Sequence, residues 1–297
     1  MASVSGARHD RCGEGTACER PREAARRRRL PSATGADVVA RHLLDDAQGT
    51  GAAAGWRRKE LITTHSPKRL YPLVPEGTHS ADFFEPNRGT HLRHPTHRRI
   101  VVPQTPSELT GPVFPYAGLG GPDTDLTRQH GGEPIGERIV LHGRVLDEDG
   151  RPVPQTLVEI WQANAAGRYA HGVDNHAAPL DPNFSGTGRA ITDAEGRYRF
   201  LTIMPGRYPF QNHYNAWRPA HVHFSVLGPN FLTRLVTQMF FPGDPLHAFD
   251  PIYQGVPAGA RDRVVAAFDI ETTEPDWALA FKFDLILRGR DATPFGI

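Results

Sequence analysis

The segment Arg218-Pro-Ala-His-Val-His-Phe224 carries two histidines, His221 and His223, in a stretch of strand-forming sequence. Successive side chains of a strand point to opposite faces, so a spacing of two residues places both imidazoles on one face. Two nitrogens arranged in this way can bind one metal ion. Because the motif is short, a pair of structural histidines on a half-buried strand remains the alternative at this point.

The residue types available as further ligands narrow the choice of metal. No carboxylate follows the histidine pair in the pattern of iron(II) facial-triad enzymes, and Cys12 and Cys18 both lie far away near the N-terminus, which disfavours zinc and blue-copper sites. Tyr169 and Tyr208 remain, each preceded by Gly-Arg at the end of a predicted strand. A phenol has a pKa near ~10, so it binds as tyrosinate only to a strong Lewis acid such as Fe(III). The alternative for either tyrosine is an amphipathic residue at the rim of the fold.

These residues must be positioned by a mainly β fold. Strand-like runs with β-branched residues and turn residues between them are typical of a sandwich, and the 30 glycines and 27 prolines agree with a turn-rich chain. We predict a β-sandwich of mixed strands with long loops and an extended N-terminal arm. The predicted strands are 137–147, 155–162, 197–203, 220–227, 233–241 and 278–288, with weak helical periodicity only at 257–266.

The chain divides into three predicted parts. Residues 1–56 are expected to be a disordered extension, 57–110 an N-terminal arm that contacts a partner chain, and 111–297 the catalytic sandwich. The arginine run Arg26–Arg29 is not followed by an apolar core, so a secretory signal is not expected. The histidines of 57–110 follow no metal-site spacing and indicate a surface arm.

Charge and hydropathy exclude two classes of partner. The chain of 297 residues has 34 Lys+Arg and 33 Asp+Glu, a net charge of +1, which argues against a dedicated nucleic-acid binder. No apolar run approaches the ~18 residues of a membrane span. We therefore expect a cytoplasmic protein without nucleic-acid or membrane partners.

Four segments together resemble one enzyme family. Trp161–Tyr169, Pro179–Phe184, Pro205–Pro209 and Arg218–Phe224 resemble, in order and spacing, the intradiol ring-cleavage dioxygenases, and among them the iron-binding chains of the protocatechuate-cleaving branch. The resemblance extends from about Thr110 to the C-terminus. Prealbumin-like sandwich modules share the turn pattern but lack the tyrosine and histidine segments.

The resemblance implies a metal and its ligands. Tyr169, Tyr208, His221 and His223 match the four protein ligands of a single non-heme Fe(III) per chain, which a hydroxide completes. Tyr208 matches the ligand that leaves when substrate binds. Both tyrosinates should give the iron protein a red-brown colour, whereas a binding module would be colourless.

Further residues match the substrate pocket of the family. Arg218 matches an arginine beside the ring, Gln238 a hydrogen-bonding glutamine, and Ile252 a pocket-lining residue. We expect Arg218→Ala to fold and bind iron but to turn over poorly. Phe210 stands where these enzymes commonly have tryptophan, and Asn87 or Arg88 falls nearest to a tyrosine of the family's arm.

The activity and partner implied are specific. The family resemblance implies cleavage of protocatechuate by O2 to 3-carboxy-cis,cis-muconate, in the beta-ketoadipate pathway of aromatic catabolism. The alternatives are another substituted catechol, such as hydroxyquinol or 4-sulfocatechol, or a non-catalytic prealbumin-like binding module. A homologous α subunit is the implied partner, forming αβ protomers in a larger symmetric oligomer.

Overall fold

A computed structural model describes residues 75–97, 120–121, 123–210, 217–228 and 235–295. All the described residues belong to one compact unit, Thr64–Ile297. The predicted disordered extension and the first part of the arm, including Trp56, Leu70, Tyr71 and Leu73, lie outside the described residues. Within the described part, no helix is long and apolar enough to cross a membrane.

The described part is mainly β, as predicted. Its strands are β1 (Arg138–Leu146), β2 (Leu157–Trp161), β3 (Thr187–Ile191), β4 (Arg197–Ile203), β5 (Tyr208–Pro209), β6 (Trp217–Arg218), β7 (His221–Leu227), β8 (Leu235–Phe240), β9 (Ala267–Phe268), β10 (Leu279–Lys282) and β11 (Leu285–Ile286). One short α-helix, α1, spans Pro251–Gln254, and 3-10 turns span Arg88–Thr90, Pro245–Ala248 and Ala258–Val264.

Two sheets form the sandwich. In the first, β1 pairs antiparallel with β4 and parallel with β10 and β11, and β9 extends the edge beside β10. The second sheet is antiparallel in the order β3-β2-β7-β8. Strands β5 and β6 form a separate short ribbon.

The core lies between the two sheets and fixes the register of β7. Phe224 of β7 packs against Tyr198 and Phe283 of the first sheet, with ring centroids 5.8 and 5.3 Å apart. Val222 and Val226 point the same way and are also buried. Because strand side chains alternate, His221 and His223 must lie on the opposite, outer face of the second sheet.

The longer predicted strands are confirmed, and the departures have local causes. The predicted strand 278–288 is divided into β10 and β11. Between them the Asp284 carboxylate accepts the Arg144 backbone N–H at 2.9 Å, which replaces a ladder carbonyl. Strand β3 was not predicted, because its sequence, Thr-Gly-Arg-Ala-Ile, has low strand propensity. The helical stretch at 257–266 forms the 3-10 turn Ala258–Val264.

Part of the N-terminal arm packs on this chain itself. The ring of His79 lies 4.1 Å from that of Phe295, and Phe84 contacts the end of α1 at Gly255. These contacts cover His79 and Phe84 in part, whereas Phe83 of the arm remains 46% exposed. The predicted boundaries of the three parts, and the arm's contact with a partner, stay predictions.

Candidate metal centre

The two histidines of β7 are held in defined orientations. Trp161, the neighbour of His223 across β2 and β7, stacks on its imidazole at 4.7 Å with the rings 6° from parallel. The Nδ1–H of His221 donates to the Pro219 carbonyl at 2.8 Å. Since a carbonyl can only accept, Nδ1 carries the hydrogen and Nε2 presents a lone pair, which is the tautomer of a metal ligand.

Both predicted tyrosines reach the same place from different elements. Tyr208 lies on β5 and its Oη is 3.1 Å from Nε2 of His221. Tyr169 lies in the loop after β2, and its Oη is 3.4 Å from that of Tyr208. The structure thus brings together the four side chains that the sequence predicted as ligands, with His223 completing the group beside His221 at a ring separation of 5.0 Å.

The repeated Gly-Arg-Tyr sequence has a steric reason. Gly167 has a φ of +78°, and a Cβ there would collide with the carbonyl oxygen of Arg207. A Cβ on Gly206 would in turn collide with the carbonyl oxygen of Ala165. The two turns therefore cross with backbone against backbone, which only glycine allows, and each delivers its tyrosine to the same point.

Asn164 joins the segments that carry the tyrosines. It is buried, its Oδ1 accepts the backbone N–H groups of Ala166 and Arg168, and its Nδ2 donates to the Pro179 carbonyl at 3.0 Å. Its own carbonyl accepts the N–H of Gly206 at 2.9 Å. Three of the four segments that carry the family resemblance thus meet on Asn164.

The charges of the four groups suit a strongly acidic metal ion. Burial, followed by the Arg218 charge, lowers the pKa of His223 to about 3, and the same causes lower the pKa of His221 well below its ordinary value. Both imidazoles are therefore neutral and able to coordinate. Burial, followed by Tyr208, raises the pKa of Tyr169 well above its ordinary value. This phenol loses its proton only to a strong Lewis acid, so the donor set fits Fe(III).

No competing metal site occurs in the part of the chain that the structure describes, where no three His, Cys, Asp or Glu side chains cluster. The arm histidines bond instead to backbone carbonyls: His91 Nε2 to Glu85 at 2.8 Å and His94 Nδ1 to Thr90 at 2.9 Å. Both imidazoles therefore have local partners within the arm, and the surface arm stays a prediction.

Arg218 is fully enclosed beside the four ligands. Its side chain is 3% exposed and pairs with Asp250, which is 1% exposed, at 2.9 Å between Nη2 and Oδ2. Its Nη1 donates to His221 Nε2 at 3.1 Å. Burial lowers the pKa of Arg218, but the Asp250 carboxylate and the two phenols, Tyr208 and Tyr169, together outweigh burial and raise that pKa.

Sequence reasoning missed Asp250. Its position before Pro251 predicts a helix N-cap, and its Oδ1 does accept the Ile252 N–H at 3.1 Å. That signal accounts for the cap but not for the pairing with an arginine 32 positions away.

The remaining predicted pocket residues lie at different depths. Gln238 on β8 is buried and accepts from Arg218 Nη2 at 2.7 Å. Ile252 lies on α1 and is partly buried, next to Asp250. Phe210 follows β5 and is 46% exposed.

The two arm residues proposed to replace the family's tyrosine differ in exposure. Asn87 is buried, and its side-chain oxygen accepts the Gly89 N–H at 3.1 Å as the cap of the 3-10 turn. Arg88 is exposed. The Asn87 oxygen thus has a structural use, and the exposed guanidinium of Arg88 is the freer of the two groups.

Comparison with known proteins gives a consistent result. Residues 109–289 match the family described as "Dioxygenase". The chain is 58% identical over 219 residues to the protocatechuate 3,4-dioxygenase beta chain of Burkholderia cepacia, covering 73% of this chain and 93% of that protein. It is 30% identical over 214 residues to the alpha chain from the same species, covering 66% and 98% respectively. The crystal structure of 3-chlorocatechol 1,2-dioxygenase from Rhodococcus opacus 1CP aligns at 24% identity with a TM-score of 0.45, over 61% of this chain and 71% of that one.

The sequence match covers the part of the chain that builds the site. Residues 109–289 contain both sheets and all four candidate ligands. The 58% identity to a ring-cleaving relative extends over nearly all of that relative's length. The chain therefore belongs to the intradiol ring-cleavage dioxygenases.

Proposed function

We propose that this chain is the iron-binding subunit of a protocatechuate 3,4-dioxygenase. It would cleave 3,4-dihydroxybenzoate with O2, between the two hydroxylated carbons, to 3-carboxy-cis,cis-muconate in the beta-ketoadipate pathway. The observation that carries the proposal is the convergence of two phenols and two neutral imidazoles beside a buried arginine. The choice of substrate is supported by identity, since the protocatechuate beta chain matches at 58% and a hydroxyquinol 1,2-dioxygenase from Rhizobium at 33%.

Tyr169, Tyr208, His221 and His223 would hold one Fe(III). When bound, this ion would withdraw electron density from a catecholate ring and make its carbon reactive towards O2. The protein's part is to keep both imidazoles unprotonated and to bring both partly buried phenols to one point.

Tyr208 would also move a proton. A catechol must lose two protons to bind through both oxygens, and the Tyr208 Oη, at the centre of the group, can accept one of them. Tyr208 lies on the two-residue strand β5, which is bonded only to the equally short β6 within the described residues. This weak attachment supports a tyrosine that can change position while Tyr169 stays.

Arg218 would stabilise negative charge on the substrate ring. Its guanidinium is fixed by Asp250 and Gln238 and is excluded from water, so its charge acts without reorganisation. The Nη1 group faces the ligand cluster through His221. Charge that develops on the ring and its oxygens is therefore met by a donor already in place.

A partner chain is the second part of the proposal. Two aromatic side chains beside the site, Phe210 and Trp217, remain 46% and 43% exposed in this chain. Exposed aromatics that lie close together on a surface are typical of regions that another protein covers. The relatives include both an alpha and a beta chain, which supports αβ protomers repeated by symmetry.

One experiment tests activity and substrate. The chain is purified with its natural partner, and kcat/KM is measured on protocatechuate, catechol, hydroxyquinol and 4-sulfocatechol, with iron quantified per chain. Protocatechuate should be preferred, and Tyr169→Phe, which keeps the ring but lacks the oxygen ligand, should lose iron and turnover. Preference for another catechol rejects the substrate, whereas no cleavage of any catechol by the iron-loaded enzyme rejects the function.

The partner requirement has a separate test. The chain alone and the co-expressed pair are compared by mass in solution and by turnover per iron. The pair should form a larger, active assembly, and the chain alone should aggregate or be weakly active. A monodisperse and fully active homo-oligomer of this chain would reject the partner.

A further inference from the structure

Asp250 is a buried carboxylate whose contacts extend in two directions from the N-terminus of α1. Its Oδ2 and Oδ1 face Arg218, at 2.9 Å from Nη2 and 3.4 Å from Nε. Its Oδ1 also accepts the Ile252 backbone N–H at 3.1 Å. The same side chain thus holds the guanidinium and the first turn of the helix that carries Ile252.

The hydrogen bonds of Arg218 leave one nitrogen of the guanidinium, Nη1, directed towards the candidate site. Asp250 engages the Nε edge and one N–H of Nη2, and Gln238 accepts from Nη2 at 2.7 Å. Only Nη1 is directed towards the ligand cluster, at 3.1 Å from His221 Nε2. When the Nε2 lone pair of His221 coordinates a metal ion, it no longer accepts a hydrogen bond from Nη1. The Nη1 hydrogens then have no protein acceptor among these contacts, and they face the place where substrate would bind.

We propose that Asp250 is a positioning residue for the ring-cleavage reaction. Its two oxygens fix the plane of the Arg218 guanidinium so that Nη1 points at the bound ring, and its cap on Ile252 sets the pocket wall relative to that plane. The two-point geometry matters because it fixes the plane of the guanidinium more closely than the bond from Nη2 to Gln238 would alone. This inference rests on the proposed role of Arg218.

A purely structural ion pair is the competing explanation. Such a pair would affect folding, but it would not change turnover in molecules that are folded and loaded with iron. A positioning role predicts lower kcat with substrate affinity almost unchanged, because the misplaced guanidinium fails mainly when charge develops on the ring.

The test compares variants in the iron-loaded enzyme with its partner chain. Asp250→Asn keeps an oxygen for the Ile252 cap but removes the negative charge. Asp250→Glu keeps the negative charge that pairs with Arg218, and should therefore fold, but it moves the carboxylate by one methylene. Arg218→Met with Asp250→Asn removes the pair completely. Phe200→Leu, in the core on β4, is the control for lost stability without contact with the pair.

Three quantities are measured for each variant: iron per chain, anaerobic substrate dissociation constant and kcat. Asp250→Asn and Asp250→Glu should retain iron and bind protocatechuate within roughly threefold of the wild type, while kcat falls roughly 10–100-fold. The double variant should be as slow as Asp250→Asn or slower. Phe200→Leu should melt earlier but keep its kcat per iron.

The outcomes separate the two proposals. Native kcat in both Asp250 variants, together with a slow double variant, rejects the positioning role alone. A kcat in Asp250→Asn well below that of the double variant also rejects it, because Asp250 would then act through a group other than Arg218. A double variant with native kcat rejects the part of Arg218 in the proposed function. If Asp250→Asn fails to fold, Asp250→Glu decides the question by the same criterion.

Discussion

Replacing Arg218 by methionine should destabilise the fold as well as slow the reaction. The exposed fractions of Arg218 and Asp250 are 3% and 1%, so both charges lie away from water. Methionine fills much of the volume of the arginine side chain, but it offers no positive charge to Asp250. The Asp250 carboxylate then keeps the Ile252 N–H as its contact from α1. A buried carboxylate without its cation is strongly unfavourable, and the structure therefore changes the expectation from sequence that an Arg218→Ala protein folds normally.

The magnitude follows from the geometry of the pair. Removing one partner of a buried, hydrogen-bonded ion pair lowers the free energy of unfolding by about 3–5 kcal/mol. Removing both partners costs far less, since the remaining desolvation penalty disappears with the second charge. Arg218→Met combined with Asp250→Asn should therefore recover most of the loss, leaving a coupling free energy of more than ~2 kcal/mol between the two positions.

Equilibrium urea unfolding of the metal-free proteins measures these differences. Tryptophan fluorescence and circular dichroism are followed at one fixed protein concentration, because assembly shifts apparent stability by mass action. The free energies of the wild type, both single variants and the double variant complete the cycle. If Arg218→Met lowers the free energy of unfolding by less than ~1 kcal/mol, the ion pair is not desolvated as the structure indicates. The same conclusion follows if the double variant is no more stable than Arg218→Met.

Four further variants test other parts of the structure. His223→Ala should lose iron and the red-brown absorbance, whereas Tyr208→Phe should keep iron and lose turnover. The iron content of each purified variant tests both expectations. Loss of iron in Tyr208→Phe would contradict the role of Tyr208 as the leaving ligand. Trp161→Leu should weaken iron binding roughly 10–100-fold in a chelator competition, because the stacked ring orients His223 at 4.7 Å. Burial, with Arg263 as a second cause, lowers the pKa of His79 in the folded protein. As the pH falls, the unfolded chain therefore protonates this histidine before the folded chain does. The stability contribution of this histidine is present above pH ~6.5 and is lost as the pH falls below that value, and His79→Phe should flatten the dependence in urea curves between pH 5 and 8.

The sequence predicted the elements that carry a strong local signal. Strand β7 has alternating β-branched and aromatic residues, so its register, and with it the shared face of His221 and His223, could be read directly. Strand β3 carries Gly188 at its second position and is held by its neighbour β2, so tertiary pairing decides it and propensity does not. The two-residue strands β5 and β6 are too short for any periodicity to appear.

The same distinction holds within the candidate site. Residue chemistry suggested the candidate ligands and the family resemblance selected them, but the contact between Tyr169 and Tyr208 joins positions 39 apart and no spacing rule predicts it. Asp250 has a local use as a helix cap that explains its presence completely, so nothing in its neighbourhood points to Arg218. A residue with two uses shows only the local one in the sequence.

The arrangement of Arg218 shows why the site and the fold cannot be separated. Arg218 pairs across the short ribbon with Tyr208, precedes His221 by three positions, and bonds to Gln238 on the strand beside β7. After burial, its charge is the second cause that lowers the pKa of both candidate ligand histidines and leaves them neutral, and it also stabilises the buried carboxylate of Asp250. A neutral side chain at this position would release the histidines to take up protons more readily and would leave Asp250 unpaired. The guanidinium would therefore contribute to the proposed metal binding, to stability and to the proposed chemistry through the same few contacts.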